Sequence, residues 1–279
     1  MEIAVILSTY NWPRALELSL WAYAIQTYRD FQIVIADDGS GPETRELIER
    51  MRGETGLDIV HVWHEDRGFR KSEILNRAIL ATDRPYLIFS DADIIPRRDF
   101  VETHARLAEP DCYLAGGAVK LPARVSERIT VEDVKAGRAT SLRWLVSQGF
   151  VPGRHALRFP RLRPWAWLLD ALTPTPPRFR GGNSSAWREH VVAVNGFDMD
   201  MAYGGQDAAL GDRLENLGVR PKRIRFRTPA VHLYHERPWR DPEVTRRNSE
   251  IRHRIRENRE VRAVYGLAEL VGPGRHDDP

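Results

Sequence analysis

The chain has 279 residues, with 42 lysines and arginines against 39 aspartates and glutamates, for a formal charge of +3. That length is ample for one large α/β domain or two small ones, and 42% hydrophobic with 29% charged residues excludes a disordered chain. The lone Cys112 excludes a disulfide framework and a multi-cysteine zinc site, and no apolar run approaches the ~18 residues of a membrane span.

From the N-terminus, β-rich runs alternate with helical patterns. Residues 3–7 (IAVIL) form a nearly continuous apolar run, as expected of a strand buried on both faces. A helical stripe follows over 13–25, with Pro13 suited to a first turn. The pattern predicts strands over 32–36, 59–63 and 86–89, and helices over 42–51 and 72–81. Repeated βα units with short turns predict a mainly parallel sheet with crossover helices, and ligands in such sheets sit at the carboxyl ends of the strands. Three of those ends are polar: Ser8-Thr9-Tyr10-Asn11, Asp37-Asp38 and Ser90-Asp91-Ala92-Asp93. Residues 120–180 are irregular in pattern and rich in Arg and Pro. Regularity returns from 181, with a helix expected over 207–217, a strand over 230–234 and a charged helical tail over 242–265.

Four clusters carry chemistry. Two carboxylates one residue apart, Asp91 and Asp93, can approach one cation from a turn, although so short a pattern also arises in solvated turns. His232 and His235 can reach a metal as imidazole ligands, or serve as ordinary satisfied polar residues. In Tyr203-Gly204-Gly205-Gln206-Asp207, two glycines permit close backbone approach, and Asp207 is either a helix cap or a base. A helix dipole lowers the pKa there, so a base requires an acceptor hydroxyl nearby. Residues 66–72 (DRGFRKS) precede a helix and form either a phosphate site or a basic turn. No GxGxxG follows the first strand, and neither a phosphate-binding P-loop nor a GxSxG elbow is present. Lysine stands only at 71, 120, 135 and 222, so 38 of the basic residues are arginine. That excess alone does not choose among nucleic acid, phosphate ligands and anionic membrane.

Taken together, the polar strand ends resemble those of family-2 inverting glycosyltransferases of the GT-A fold. The stretch Arg180-Gly181-Gly182-Asn183-Ser184-Ser185-Ala186-Trp187, continuing through Asn195-Gly196-Phe197-Asp198 to Asp207, is similar to the C-terminal half of β-1,4-galactosyltransferases and chondroitin-polymerase-like enzymes. Gly68-Phe69-Arg70-Lys71 with Asn76 resembles their diphosphate-contacting segment. The resemblance implies a Rossmann-like GT-A fold: a mixed, mainly parallel sheet flanked by helices, in a single domain with an irregular middle segment and a C-terminal helix. It divides the chain into a nucleotide-sugar half (1–119), an acceptor-side or membrane-proximal segment (120–180), an acceptor and base half (181–241) and a helical tail (242–279).

The resemblance also implies roles. Ser8 and Asp38 contact the base of a UDP-sugar, with Tyr10, Asn11 and Arg14 nearby. Lys71 and Arg70 neutralise the diphosphate, with Asn76 in the same segment. Asp93 binds Mn2+ or Mg2+, and Asp91 touches the ribose or a metal-bound water, with Ala92 between them. His235 matches a metal histidine, and His232 falls where a second ligand occurs. Asp207 is the catalytic base, with Gly204, Gly205, Gln206 and Trp187 on the acceptor side. Gln206 departs from the family's usual Glu, which strengthens Asp207 as the base and leaves the acceptor open.

The implied activity is metal-dependent, inverting transfer of a sugar to a hydroxyl of a glycan or lipid-linked acceptor, in bacterial surface-polysaccharide or lipopolysaccharide assembly. The N-terminus (MEIAVILSTYN) lacks a signal-peptide pattern, so a cytoplasmic location is expected. The run 161–169, with Trp165 and Trp167, predicts peripheral contact with the inner face of the membrane, or a loop stacking on acceptor sugar. No nucleic-acid partner is expected, because Asp38, Asp91 and Asp93 repel a polyanion. A metal-dependent nucleotidyltransferase is the alternative enzyme, and it leaves residues 204–207 unexplained. A non-catalytic sugar or nucleic-acid binder is the other alternative.

Overall fold

A computed structural model describes residues 1–159, 162–236 and 241–271. The expected alternation is present: β1 (Ile3–Thr9), α1 (Pro13–Ala24), β2 (Phe31–Asp37), α2 (Pro42–Thr55), β3 (Ile59–Trp63), α3 (Lys71–Leu80) and β4 (Tyr86–Asp91). Then follow β5 (Ile94–Pro96), α4 (Phe100–Leu107), β6 (Cys112–Ala115) and β7 (Val119–Lys120). The middle segment contains only short helices: α5 (Ala123–Arg128), α6 (Val131–Lys135), α7 (Leu142–Ser147) and α8 (Arg163–Leu172), with two 3₁₀ turns between them. The remainder comprises β8 (Ser184–Trp187), α9 (Arg188–Ala193), α10 (Gln206–Asn216), β9 (Arg220–Arg223), β10 (Ala230–His232), α11 (Pro242–Glu257) and α12 (Leu267–Val271).

Seven strands form one sheet in the order β3-β2-β1-β4-β8-β6-β9. The first four are parallel, β8 runs antiparallel to both β4 and β6, and β6 pairs parallel with β9. Residues of β1 alternate between two cores, which explains its continuous apolar sequence. Ile3, Val5 and Leu7 pack with Leu16 and Tyr23 of α1, Ile48 of α2 and Phe100 of α4. Ala4 and Ile6 pack on the other face with Ile74 and Ile79 of α3 and Leu210 and Leu214 of α10. Each fully buried Leu or Ile contributes roughly 1.5–3 kcal/mol.

Two relationships position the site. The register of the parallel strands sets Ser8 beside Asp91 and Thr9 beside Asp37, so the three polar strand ends share one edge. A second sheet, β5-β10-β7, pairs β10 antiparallel with β5 and sets His232 opposite Ile94. A third core lies under this small sheet, where Val119, Val231 and Leu233 meet Val125, Val134 and Leu145 of the short helices.

The charged tail forms α11 over a shorter span than expected. Asp241 caps it by accepting from the amides of Glu243 and Val244. Residue 161, the start of the expected membrane-facing run, and residues 272–279 of the tail lie outside the described residues. Among the described residues, no helix is long and apolar enough to cross a membrane.

Candidate active site

The carboxyl ends of β1, β2 and β4 open into a cleft of about 1080 Å³, lined by Ser8, Tyr10, Asn11, Asp38, Lys71 and Asp91–Asp93. The opposite wall comprises Tyr203–Asp207, His232 and His235. Thus the expected donor, metal and base residues largely converge on one cavity.

Near the end of β2, Asp38 is buried, with one carboxylate oxygen 2.8 Å from His64 Nε2 and the other accepting the Arg70 amide at 3.1 Å. Asn11 has φ +44°, a left-handed conformation that Asn tolerates better than most residues. Its side-chain oxygen accepts from the Gly41 amide, and its own amide donates to Ser40 Oγ, which joins the first two strand ends. Tyr10 donates to Asp66 at the cleft rim.

At the centre, Lys71 Nζ donates to Asp91 Oδ1 at 2.6 Å, and Ser8 Oγ donates to the same oxygen at 2.7 Å. Burial opposes the ionisation of Asp91, but the Lys71 ammonium and these two hydrogen bonds outweigh it and hold the carboxyl below its usual range. Burial likewise opposes the Lys71 ammonium. The charges of Asp91 and Asp207 more than offset it and push the Lys71 pKa up.

Beside this pair lies a candidate metal centre. Nε2 of His235 is 3.3 Å and Nε2 of His232 3.7 Å from Asp93 Oδ2, and one ligating atom from each residue falls within 4.8 Å of the others. Nδ1 of His232 faces the carbonyl of Leu233 at 2.6 Å, and Nδ1 of His235 faces that of Glu236 at 2.7 Å. A carbonyl only accepts, so each Nδ1 carries the proton and, in the neutral imidazole, each Nε2 lone pair is free for a cation. Asp93 Oδ1 is buried without a hydrogen-bond partner. Burial pushes the Asp93 carboxyl up, and the negative charge of Asp91 adds to the effect while His232 opposes it. An orphaned acceptor oxygen beside two oriented imidazoles fits a divalent ion.

Asp207 is in the first turn of α10, as the sequence predicts, but the expected dipole effect does not govern it. Burial pushes its carboxyl up, Lys71 pulls it down, and Asp91 pushes it up further. Its Oδ1 is buried and has no partner. Gly181 passes so close that a Cβ there would stand 2.8 Å from this oxygen. The loop before α10 is held by Asn248 of α11, which donates to the carbonyls of Ala202, Tyr203 and Gly204 at 3.2, 3.3 and 2.6 Å. Gly205 has φ +94°, a conformation that favours glycine.

Several expected contacts lie elsewhere. Asn76 is fully buried and bonds the backbone of Phe197 through both ends of its amide, so it joins α3 to the loop after α9 rather than meeting a diphosphate. Arg14 directs its guanidinium to the carbonyls of Ser126, Glu127 and Ile129 at the end of α5. Trp187 pairs with Tyr86 at the amino end of β4, the edge of the sheet away from the cleft, and donates to the Glu109 carbonyl. Gln206 is buried, and its side-chain oxygen accepts from the Gly204 amide, so it shapes the loop rather than offering that oxygen to an acceptor. Arg70 contributes its backbone to Asp38 while its side chain pairs with Glu73. Conversely, Thr245, Asn248, Ser249 and Arg252 of α11 line the cleft. The polar, arginine-rich sequence of that helix carries no motif that singles them out.

The family model for Glycosyl transferase family 2 matches residues 4–155, and that for the N-terminal domain of galactosyltransferase matches 175–236. A validoxylamine A glucosyltransferase from Streptomyces hygroscopicus subsp. jinggangensis is 26% identical over 259 residues, spanning 84% of this chain and 56% of that protein. A chondroitin synthase from Escherichia coli is 24% identical over 248 residues, spanning 85% of this chain and 35% of that protein. The chain therefore covers about half or less of the length of these relatives.

Among solved structures, a mannosyltransferase from Pyrobaculum calidifontis in complex with GDP-Man and Mn2+ aligns with a TM-score of 0.58 at 21% identity, over 85% of this chain and 58% of that one. TarS 1–349 from S. aureus in complex with UDP aligns with a TM-score of 0.58 at 14% identity, over 96% of this chain and 68% of that one. These likenesses show the GT-A fold. With the first family model matching more than half of its length, the chain belongs to glycosyl transferase family 2.

Proposed function

We propose that this protein is a metal-dependent, inverting glycosyltransferase that moves a sugar from a UDP-sugar to a hydroxyl of a glycan or lipid-linked acceptor. The observation that carries the reading is the pairing, across one cleft, of Asp207, one of whose carboxylate oxygens is buried without a partner, with the Asp93–His232–His235 cluster. The mixed imidazole and carboxylate set favours Mn2+ over Mg2+, which prefers an all-oxygen shell. The TarS structure with UDP and the mannosyltransferase with GDP-Man and Mn2+ support a nucleotide donor with a divalent ion.

In this reading Ser8, Asn11 and Asp38 form the wall for the nucleotide, and Lys71 offsets charge developing on the departing diphosphate. A bound divalent cation supplies further electrostatic stabilisation of that leaving group. The acceptor oxygen forms a bond to the anomeric carbon as the carbon–oxygen bond to the β-phosphate breaks. The hydroxyl proton passes to the Asp207 carboxylate, and UDP leaves with the electron pair. One displacement of this kind inverts the anomeric centre. Burial of Asp207 raises its affinity for the proton, which suits a general base.

The acceptor class is consistent with surface-polysaccharide or lipopolysaccharide assembly. Exposed Trp165 and Trp167 on α8, 59% and 60% accessible, support peripheral contact with an anionic membrane. Release of the nucleoside diphosphate, UDP from UDP-Glc, UDP-Gal, UDP-GlcNAc and UDP-GalNAc or GDP from GDP-Man, with Mn2+ and with EDTA, tests the reading. Release from a UDP-sugar that stops in EDTA is expected. Turnover of GDP-Man alone replaces the donor assignment, and release of pyrophosphate restores the nucleotidyltransferase alternative.

A further inference from the structure

Behind Asp207 lies a second cavity, of about 320 Å³, that meets the nucleotide cleft at Asp91, Asp207 and His232. Its far wall is cationic, with Arg158, Arg178, Arg180 and Arg225 all lining it. Several buried or half-buried arginines elsewhere in the fold face carboxylates, as Arg97 does with Asp99, Arg213 with Asp198 and Arg252 with Asp212. Among the described residues, no carboxylate forms an ion pair with Arg158, Arg178 or Arg225, while the charge of Arg180 acts on Asp207 at the mouth of the cavity, and Arg158 and Arg225 are held over the ring of Phe226 at 5.6 and 6.0 Å. Burial and the nearby charge of Arg154 depress the Arg225 pKa, the signature of a cation lacking a counter-ion.

The floor of this cavity is already organised. Arg223 donates to the carbonyls of Asp170, Thr173 and Thr175, which fixes the segment after α8 that carries Arg178 and Arg180. Asp170 in turn pairs with Arg227 at 2.8 Å. A concave pocket with convergent guanidiniums in excess of its carboxylates binds planar or tetrahedral anions through charge-assisted, often bidentate hydrogen bonds. Its volume falls at the lower end of small-ligand sites.

We propose that this pocket seats a negatively charged acceptor sugar, one carrying a carboxylate or a phosphate held by Arg178, Arg180 and Arg225, with its attacking hydroxyl directed to Asp207. The proposal rests on Asp207 as the base and adds the class of acceptor. The anion balances the cationic wall, and its fixed distance from the base selects which hydroxyl reacts.

The test compares charged and neutral twins on the full-length protein: glucuronate and glucose 6-phosphate, each against glucose. Binding is measured by titration in the presence of UDP and Mn2+, and acceptor use by UDP release. At least one charged compound is expected to bind about tenfold or more tightly than glucose, and which one does so separates a uronate site from a phosphate site. In the double variant Arg178→Ala/Arg225→Ala that preference collapses towards unity, whereas Arg178→Lys retains part of it. The exposed single variant Arg178→Ala, checked for UDP binding, replaces the double variant if the latter does not fold. Equal binding of charged and neutral twins overturns the proposal, as does a charge preference that survives the double variant. The titration is read without turnover, so an absence of sugar transfer counts against the proposed function and not against the anion site.

Discussion

Lys71 Nζ and Asp91 Oδ1 stand 2.6 Å apart at the centre of the cleft, joining the first residue of α3 to the last residue of β4. Both side chains are three-quarters or more buried, so each is the principal counter-charge of the other. Lys71→Met leaves Asp91 with only Ser8 as a donor. It is expected to cost about 2 kcal/mol of stability, below the usual penalty for a fully buried pair because solvent reaches the site. In the proposed reaction the same change removes a cation from beside the leaving group, and it is expected to lower kcat by about 100-fold. Urea unfolding and UDP-release kinetics check the two effects separately.

Asp207→Asn is expected to lower kcat/KM by roughly 100- to 10,000-fold with UDP affinity within about twofold of wild type. Stability at pH 7 is not expected to fall. The folded pKa of Asp207 is raised, so its stabilising contribution is present below the unfolded carboxylate value and is lost as pH rises through the folded one. For activity the base must be ionised, so the acid limb of the kcat/KM profile should lie above the ordinary Asp range and disappear in the variant. Near-normal transfer by Asp207→Asn excludes it as the base.

His235→Ala and Asp93→Asn each remove one ligating group from the cluster at the end of β10. Mn2+ affinity, followed by the electron-spin signal of free Mn2+, is expected to weaken at least tenfold in each, on the order of the loss seen when metal-site support is removed. Unchanged Mn2+ binding in both variants places the ion elsewhere.

His104 is fully buried, 2.7 Å from Ser185 Oγ and 3.1 Å from Asn183 Oδ1, and burial lowers its pKa to about 3. A depressed histidine stabilises the fold above its unfolded pKa of ~6.5, and that contribution is lost as pH falls from there towards the folded value. Unfolding free energy is expected to drop by up to about 5 kcal/mol across that window from this group alone. Replacing His104 with Gln should flatten the slope between pH 6.5 and 4 in denaturant titrations, and an unchanged slope assigns the acid sensitivity to other groups.

The parallel half of the fold was legible because its strands are buried on both faces and read as apolar runs. β8 was hidden for the opposite reason. Its serines, Ser184 and Ser185, are fully buried, and Ser185 is satisfied by Tyr86 and His104, partners that lie about 100 and 80 residues away. β9 (RPKR) pairs along one side only, at the edge of the sheet, where charge and proline are tolerated. The site divides similarly. Asp91, Asp93, His232, His235 and Asp207 converge on the cleft because strand ends and a helix start carry them there directly. Arg14, Asn76 and Trp187 depend on tertiary partners that no local pattern encodes. The role of α11 was equally hidden, because Asn248 acts on the backbone of a loop 44 to 46 residues earlier.

The pairing of β10 with β5 has a consequence for how the protein comes to be active. The backbone carbonyl of Asp93 accepts the Leu233 amide at 2.9 Å, so the backbone that carries the first residue of the candidate metal centre is held by a segment almost 140 residues later in the chain. The candidate metal centre is completed only with this last strand, which brings His232 to Asp93. A chain stopped before residue 230 is thus expected to bind nucleotide weakly and turn over nothing, so partial products of translation cannot consume activated sugar.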